Sequence, residues 1–222
     1  MPVKYFLTGN SRTPIAFDTT WCVLDIGSGH HPHPRANVLA DKYLLDNTER
    51  TGREAKLLPG IPFVVADACS LPFKDKSFDF VICSHVAEHV EDVESFCSEL
   101  NRVARMGYLE TPSRFTESLL HVAVHRWFIS NRHNQLVFTL APNDHPLGWF
   151  GKLFFSIHFY GTVHIKGREV FPFASGCRKP WHYLFVLLRW TLMFLMLFTW
   201  PFMFARLHWK GSFSFMISDP LK

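Results

Sequence analysis

Apolar residues along the chain gather into three short unbroken runs: WCVLDIG (21–27), PFVVADA (62–68) and FDFVICS (78–84). Runs of this length with turn-forming flanks predict strands buried on both faces, as in a parallel sheet. ANVLAD (36–41) is a shorter run of the same kind, and GYLETP (107–112) predicts a further strand stopped by Pro112. In HVAEHVEDVESFCSELNRVARM (85–106), Val86, Val90, Val93, Phe96, Leu100 and Val103 recur three or four residues apart, which predicts an amphipathic helix. Further on, SRFTESLLHVAVHRW (113–127) has helical spacing with Leu119, Val122 and Trp127 on one side. WFIS–NRHN–QLVFTL (127–140) predicts a hairpin turning at Asn131–Asn134. The stretch 141–180, rich in Gly, Pro and aromatics, yields no assignment.

This order predicts an α/β fold with a mostly parallel sheet of the Rossmann-like kind, helices on both faces, and an apolar C-terminal helical tail. Ligands of such sheets bind beyond the carboxyl ends of the strands. Those ends carry Asp25–Gly29, Asp41, Asp67, Ser84–His85 and Glu110–Thr111, five polar strand ends on one edge. The expected division is 1–175 for the sheet domain and 176–222 for the tail.

Composition narrows the classes. A net charge of +4 without a basic run or stripe gives no argument for nucleic acid. The five cysteines (Cys22, Cys69, Cys83, Cys97 and Cys177) share no CxxC spacing, and the first four lie in or beside apolar runs. They are expected as free thiols of a reducing compartment. The start, MPVKYFLTGN, lacks the long apolar stretch of a signal peptide, so a cytoplasmic location is expected.

The segment LDIGSGHHPHPRA (24–36) poses the main chemical choice. A dinucleotide loop of the form GxGxxG needs a third glycine, and Pro32 stands there. Pro32 and Pro34 also prevent a helix from starting directly after the loop. A metal site is the second reading: His30, His31 and His33 are adjacent, and HVAEH (85–89) matches the H-x-x-E-H pattern of some zinc peptidases, with Glu169 downstream as a third ligand. HVAEH follows a buried strand without a gap, which sets His85 at a strand end rather than inside a long helix, so no metal is expected. Glu88 is expected in the first turn of the following helix.

In order, VLDIGSG, ANVLAD, VVADA, FDFVICSHVAEHV and GYLETP resemble the signature segments of the class I S-adenosylmethionine-dependent methyltransferases, over about residues 20–112. The resemblance implies S-adenosylmethionine as cofactor. Asp25, Gly27 and Gly29 would form the turn that lets the backbone approach its methionine part, glycine being free to adopt positive φ and lacking a Cβ. Asp41 would bind the ribose hydroxyls, Asp67 with Ala68 would face the adenine, and Ser84 and His85 would line the methionine end. One departure stands out. His31 holds a place where the family commonly has glycine, and HPHPRAN leaves room only for a short irregular link to the next strand. Loops of the type IGSG-x-x-PHP-R-A are similar to those of methyltransferases in sugar and polysaccharide pathways.

Methyl transfer from a sulfonium is an in-line displacement, for which the protein supplies position and exclusion of water. A hydroxyl acceptor gains from a general base. His85 is the first candidate for that role and Glu110 the second, followed by His121 and His125. From Tyr183 to Ala205 the only formal charge is Arg189. As a helix this stretch would reach about 34 Å, enough for a bilayer core of about 30 Å. Trp181, Tyr183 and Trp209 would then sit near the interfaces. Membrane association through 181–209 on the cytosolic side is the expectation, with a glycan, glycolipid or other membrane-proximal small molecule as acceptor. The alternative is a non-catalytic cofactor-binding or scaffold protein with an apolar interaction tail.

Overall fold

The computed structural model describes residues 3–6, 15–46, 53–120, 122, 124–142, 163–165, 168–170, 191 and 202–218. In chain order its elements are β1 (Val3–Phe6), β2 (Ile15–Asp18), β3 (Val23–Ile26), β4 (Val38–Asp41), β5 (Phe63–Val65), β6 (Phe78–Ser84), α1 (Val93–Val103), β7 (Ala104–Pro112), α2 (Arg114–Leu120), β8 (Trp127–Arg132), β9 (Gln135–Leu140), β10 (Val163–Ile165), β11 (Arg168–Val170), β12 (Phe204–Lys210) and β13 (Ser214–Ser218). They divide into two compact units. The first comprises residues 1–112, 124–141 and 205–222, and the second comprises 113–123 and 142–204.

The first unit is built on a six-stranded sheet in the order β12-β7-β6-β3-β4-β5. The pairs β3–β4, β3–β6, β4–β5 and β6–β7 are all parallel, with Asp25 opposite Leu39 on one side and Ile82 on the other. Each strand predicted from an apolar run is present: β3, β4 and β5 are shorter than their runs, β6 fills 78–84, and β7 starts before the predicted residue 107. Side chains alternate between two separate cores, as period-two geometry requires. Leu24, Ile26, Val81, Cys83 and Leu109 point to one face, and Val23, Phe80, Ile82 and Tyr108 to the other.

Helix α1 covers the first face. Its buried stripe is Val93, Phe96, Cys97, Leu100 and Val103, each large apolar member contributing on the order of 1.5–3 kcal/mol. The helix starts eight residues later than the spacing predicts. Asp92 caps it, accepting from Ser95 N at 3.0 Å and Ser95 Oγ at 2.6 Å. Such a cap is worth about 1 kcal/mol. Residues before Asp92 belong to a buried turn, so Glu88 is not in the helix. The second face holds no helix among the described residues: Ile15 and Phe17 of β2 fill it, Phe17 lying 5.4 Å from the Phe80 ring. Helices on both faces were expected. Here a strand carries out the covering role on one of them.

Residues 204–218, expected in a helical tail, are strands. β12 carries Ala205, Leu207 and Trp209 inward, while Arg206, His208 and Lys210 alternate with them. Gly211 N donates to Arg105 O at 2.8 Å and Arg206 pairs with Glu110, so β12 runs opposite to β7. Trp209, expected at a membrane interface, packs on Gly107, where any Cβ would overlap its ring. β13 then joins β9 in a three-stranded sheet, parallel to it, with β8 antiparallel on the far side. Asn101 of α1 grips the link between β12 and β13 by both backbone groups of Phe213, at 3.0 and 3.1 Å. The β8–β9 hairpin turns at His133 and Asn134, with φ of 50° and 67°, the two left-handed residues of a type I′ turn.

In the second unit, Ser113 caps α2 by accepting from Thr116 N at 3.2 Å, and Thr116 Oγ1 donates to Met203 O at 2.6 Å. β10 and β11 form an antiparallel pair. Among the described residues no helix is long and apolar enough to cross a membrane. Most of 183–205, where a spanning helix was expected, lies outside the described residues, as do Trp181 and His121.

Candidate functional site

The glycine loop grows out of β3 and is held by β4. Gly27 N donates to Ala40 O at 2.8 Å, and Gly29 N donates to Asp41 Oδ2 at 2.9 Å. Gly27 has φ of 68°, and a Cβ there would overlap Val86 Cγ2, so both conformation and packing demand glycine. Gly29 has φ of 49°. His31 needs neither property. Its side chain is exposed and its φ is not in the left-handed region, which is why a histidine is tolerated there.

Asp25 closes the loop from below. Its Oδ2 accepts from His33 N at 2.7 Å, so the link of histidines and prolines is clamped onto the strand without any helix. His33 is buried against Phe17, and burial lowers its pKa to about 4, so it is neutral. The His30 and His31 rings pack on each other at 4.2 Å, and Arg53 Nη1 reaches His30 Nε2 at 3.0 Å. His33 thus packs on Phe17, while His30 and His31 pack on each other. Burial raises the Asp25 pKa to about 7, opposed by the His33 bond and assisted by the Asp41 charge.

The next two strand ends carry acids as expected. Asp41 accepts from Tyr43 N at 3.0 Å with its other oxygen. Asp67 accepts from Cys69 N at 2.9 Å and pairs with Lys42 Nζ at 2.8 Å. Burial opposes ionisation of Asp67, but Lys42 and the Cys69 amide outweigh it and lower its pKa. Ala68 is buried beside it. The thiols of Cys22, Cys69, Cys83 and Cys97 are all free, as expected.

Beyond β6 and β7 the site is built from charged side chains. Ser84 pairs in register with Glu110, and His85 N donates to Glu110 O at 2.8 Å. That bond bends the chain, and His85 takes a φ of 59°. Its ring then lies between two buried carboxylates, Nδ1 3.4 Å from Glu88 Oε1 and Nε2 3.6 Å from Glu110 Oε1. Burial disfavours the imidazolium, yet Glu110 and Glu88 together outweigh it and raise the His85 pKa to about 9. The same ring, aided by His89 and His125, overcomes burial and holds Glu88 down to about 2. Glu110 is fully buried. It accepts from Tyr108 OH at 2.5 Å and lies 3.3 Å from Arg206 Nε of β12. Two cations thus balance two carboxylates. His85 and Glu110, named from sequence as proton acceptors, are brought together, but as an ion pair. An imidazolium at neutral pH holds its proton and cannot take another.

Arg206, Tyr108 and Glu88 were not anticipated as members, whereas Thr111 was named among the polar strand ends. Thr111 Oγ1 donates to Glu88 Oε2 at 2.9 Å. The period-two alternation of FARLHWK (204–210) is the signal that could have placed Arg206 on a strand, but the stretch was assigned to the helical tail. The H-x-x-E-H arrangement does not form: residues 85–91 are a turn, and His85 faces carboxylates rather than His89.

S-adenosylmethionine carries an ammonium, a sulfonium, a ribose diol and an adenine. The residues present fit it. Asp25 and Asp41 offer carboxylates near the glycine loop, and the hydroxyls of Ser28 and Ser84 are buried with no hydrogen-bond partner among the described residues.

Residues 24–109 match the family described as "Methyltransferase domain". The match supports, for this segment, the resemblance to the class I S-adenosylmethionine-dependent methyltransferases and S-adenosylmethionine as the cofactor. Among curated relatives, norajmaline N-methyltransferase of Rauvolfia serpentina is 47% identical over 47 residues, 21% of this chain and 16% of that protein. Demethylmenaquinone methyltransferase of Streptomyces griseus subsp. griseus is 31% identical over 90 residues, 38% of each chain. The chain therefore spans well under half the length of these relatives. Among solved structures, the YcgJ protein of Bacillus subtilis is 25% identical, with a TM-score of 0.34 over 46% of this chain and 50% of that one.

Proposed function

We propose that the chain transfers a methyl group from S-adenosylmethionine to a small-molecule acceptor, and that this acceptor is a glycan or glycolipid. The observation that carries the transfer is the glycine loop itself: Gly27 and Gly29 in left-handed conformation, tied by backbone bonds to Ala40 and Asp41. This backbone arrangement leaves the loop without side chains where the cofactor's methionine part approaches. Asp25 favours the same ligand. A carboxyl whose pKa burial has lifted to about 7 ionises more readily when a cation arrives, and the cofactor brings two.

When bound, the cofactor supplies an electrophilic methyl on sulfur. The protein's part is placement. Asp41 holds the ribose, Asp67 and Ala68 border the adenine, and Ser84 and His85 border the methionine end. The His85–Glu88–Glu110–Arg206 cluster fixes the wall beyond β6 and β7 with no net charge of its own. The glycan class rests on the likeness of IGSGHHPHPRA to loops of sugar-pathway methyltransferases, and the apolar stretch 183–201 favours an acceptor near a membrane. The matched relatives are named for norajmaline and demethylmenaquinone, which supports a small molecule of some kind.

Calorimetry with S-adenosylhomocysteine on wild type and Asp41→Ala tests the cofactor site. Transfer of labelled methyl from S-adenosylmethionine into glycan, glycolipid and quinone fractions then tests the acceptor. Absence of cofactor binding in wild type sinks the methyltransferase reading. Label appearing only in quinones sinks the glycan assignment.

A further inference from the structure

The turn after β6 carries a second cluster, which shares Glu88 with the charged wall described above and adds His89 and His125. Glu88, His89 and His125 each present a ligand atom, and these atoms lie within 4.8 Å of one another. We propose that they form a binding site for one divalent metal ion of the zinc class, with a coordination position left for an exchangeable ligand.

The fold builds this meeting deliberately from distant sequence. The amides of Arg126 and Trp127 both donate to Glu88 O, at 2.7 and 3.3 Å, and Trp127 Nε1 donates to Val90 O at 2.8 Å. His125, immediately before this clamp, is thereby set against His89, their rings edge to face at 4.8 Å. His89 N donates to Val86 O at 2.9 Å, which closes the turn that carries the ring.

The chemistry of the three donors agrees. Two imidazoles and one carboxylate are the ligand set of catalytic zinc sites that keep an open position. Glu88 is 1% exposed, and its other oxygen is held by the Thr111 hydroxyl at 2.9 Å, the kind of outer hydrogen bond that orients a ligating carboxylate. The Nδ1 atom of His89 is buried without a hydrogen-bond partner among the described residues, while Glu88 Oε1 lies 3.4 Å from His85 Nδ1. A buried polar atom without a partner costs roughly 1–3 kcal/mol, and a metal ion removes that cost. Ligand atoms on a tetrahedral zinc lie about 3.3 Å apart, so side-chain rotation has to close the trio by about 1.5 Å at most.

This site differs from the zinc-peptidase reading of HVAEH. His85 takes no part, since its ring is held by Glu110 and Glu88, and the third ligand is His125 rather than Glu169. Resting on the methyltransferase reading, one further consequence follows. An open position on an ion at this strand end is where an acceptor oxygen would bind, to be polarised as a Lewis acid does.

The test uses the full chain, freed of metal by chelation and titrated with Co²⁺. One equivalent bound, with the strong visible absorption of tetrahedral cobalt and displacement by Zn²⁺, is the expected result. His89→Gln and His125→Gln each lower the cobalt affinity at least tenfold, with S-adenosylhomocysteine binding and far-ultraviolet circular dichroism unchanged. No saturable cobalt spectrum in wild type, or spectra unaltered in both variants, overturns the proposal. An intact cobalt spectrum without S-adenosylhomocysteine binding keeps the metal site and removes the methyltransferase reading instead.

Discussion

The two halves of the sheet's functional edge are made of different material. At β3, β4 and β5 the site is largely backbone: glycines with positive φ, amides bonded to Asp25 and Asp41, and a loop only eleven residues long between strands that pair. At β6, β7 and β12 it is side chain. His85, Glu88, Glu110 and Arg206 come from positions up to 121 residues apart and lock one another by charge. The first kind is specified by residues near in sequence and is spared by changes that avoid its glycines. The second is cooperative, so removing one member strands the others.

The sharpest break in this comparison is Glu110→Gln. It removes the fully buried carboxylate between two half-buried cations, leaving Arg206 without it and His85 with Glu88 alone. Loss of one partner from a buried ion pair costs about 3–5 kcal/mol. Urea unfolding is the measure, and a loss below 1 kcal/mol would show that the cluster is not cooperative.

Next in size is a pH effect. His85 has its pKa raised from 6.5 to about 9 by folding, so its contribution is fully present below pH 6.5 and lost as pH rises through 9. A shift of that size corresponds to about 3 kcal/mol at most. Wild type is expected to lose more stability between pH 6.5 and 9.5 than His85→Asn, Asn being tolerant of the left-handed φ at that position. Parallel unfolding curves for the two proteins would contradict the pairing.

In the backbone-built half, Gly27→Ala meets both an unfavourable φ and the Val86 side chain. The expected loss is about 2–3 kcal/mol, together with S-adenosylhomocysteine affinity, read by thermal unfolding and calorimetry. Asp41→Ala should weaken S-adenosylhomocysteine at least tenfold, about 1.4 kcal/mol, with less effect on folding. Smallest of all is His31→Gly. The side chain is exposed and its φ is ordinary, so stability and cofactor affinity should stay within about 0.5 kcal/mol of wild type. A large gain in affinity would mean that the missing glycine matters after all.

The same division separates what could be read in advance from what could not. Asp25, Gly27, Gly29, Asp41 and Asp67 were legible because each sits at the end of an apolar run, and strand ends determine where a ligand-facing loop begins. His85 and Glu110 were legible as positions but not as roles. An isolated histidine suggests a base, and only the neighbouring carboxylates turn it into a stable cation. β12 was hidden because FARLHWK follows a long apolar stretch and was taken into it. Its period-two alternation is a weak signal beside so strong a neighbour.

By itself the sequence determined the parallel strands, their order-giving apolar runs and the helix-free link from β3 to β4. These follow from local patterning, from glycine and proline restrictions and from chain length. The tertiary structure alone decided that a strand rather than a helix covers the second face, that Trp209 packs on Gly107, and that His85 meets Glu88 and Glu110. Those outcomes depend on contacts between residues far apart in the chain. Burial and charge act through distance in space, and no short window of residues contains it.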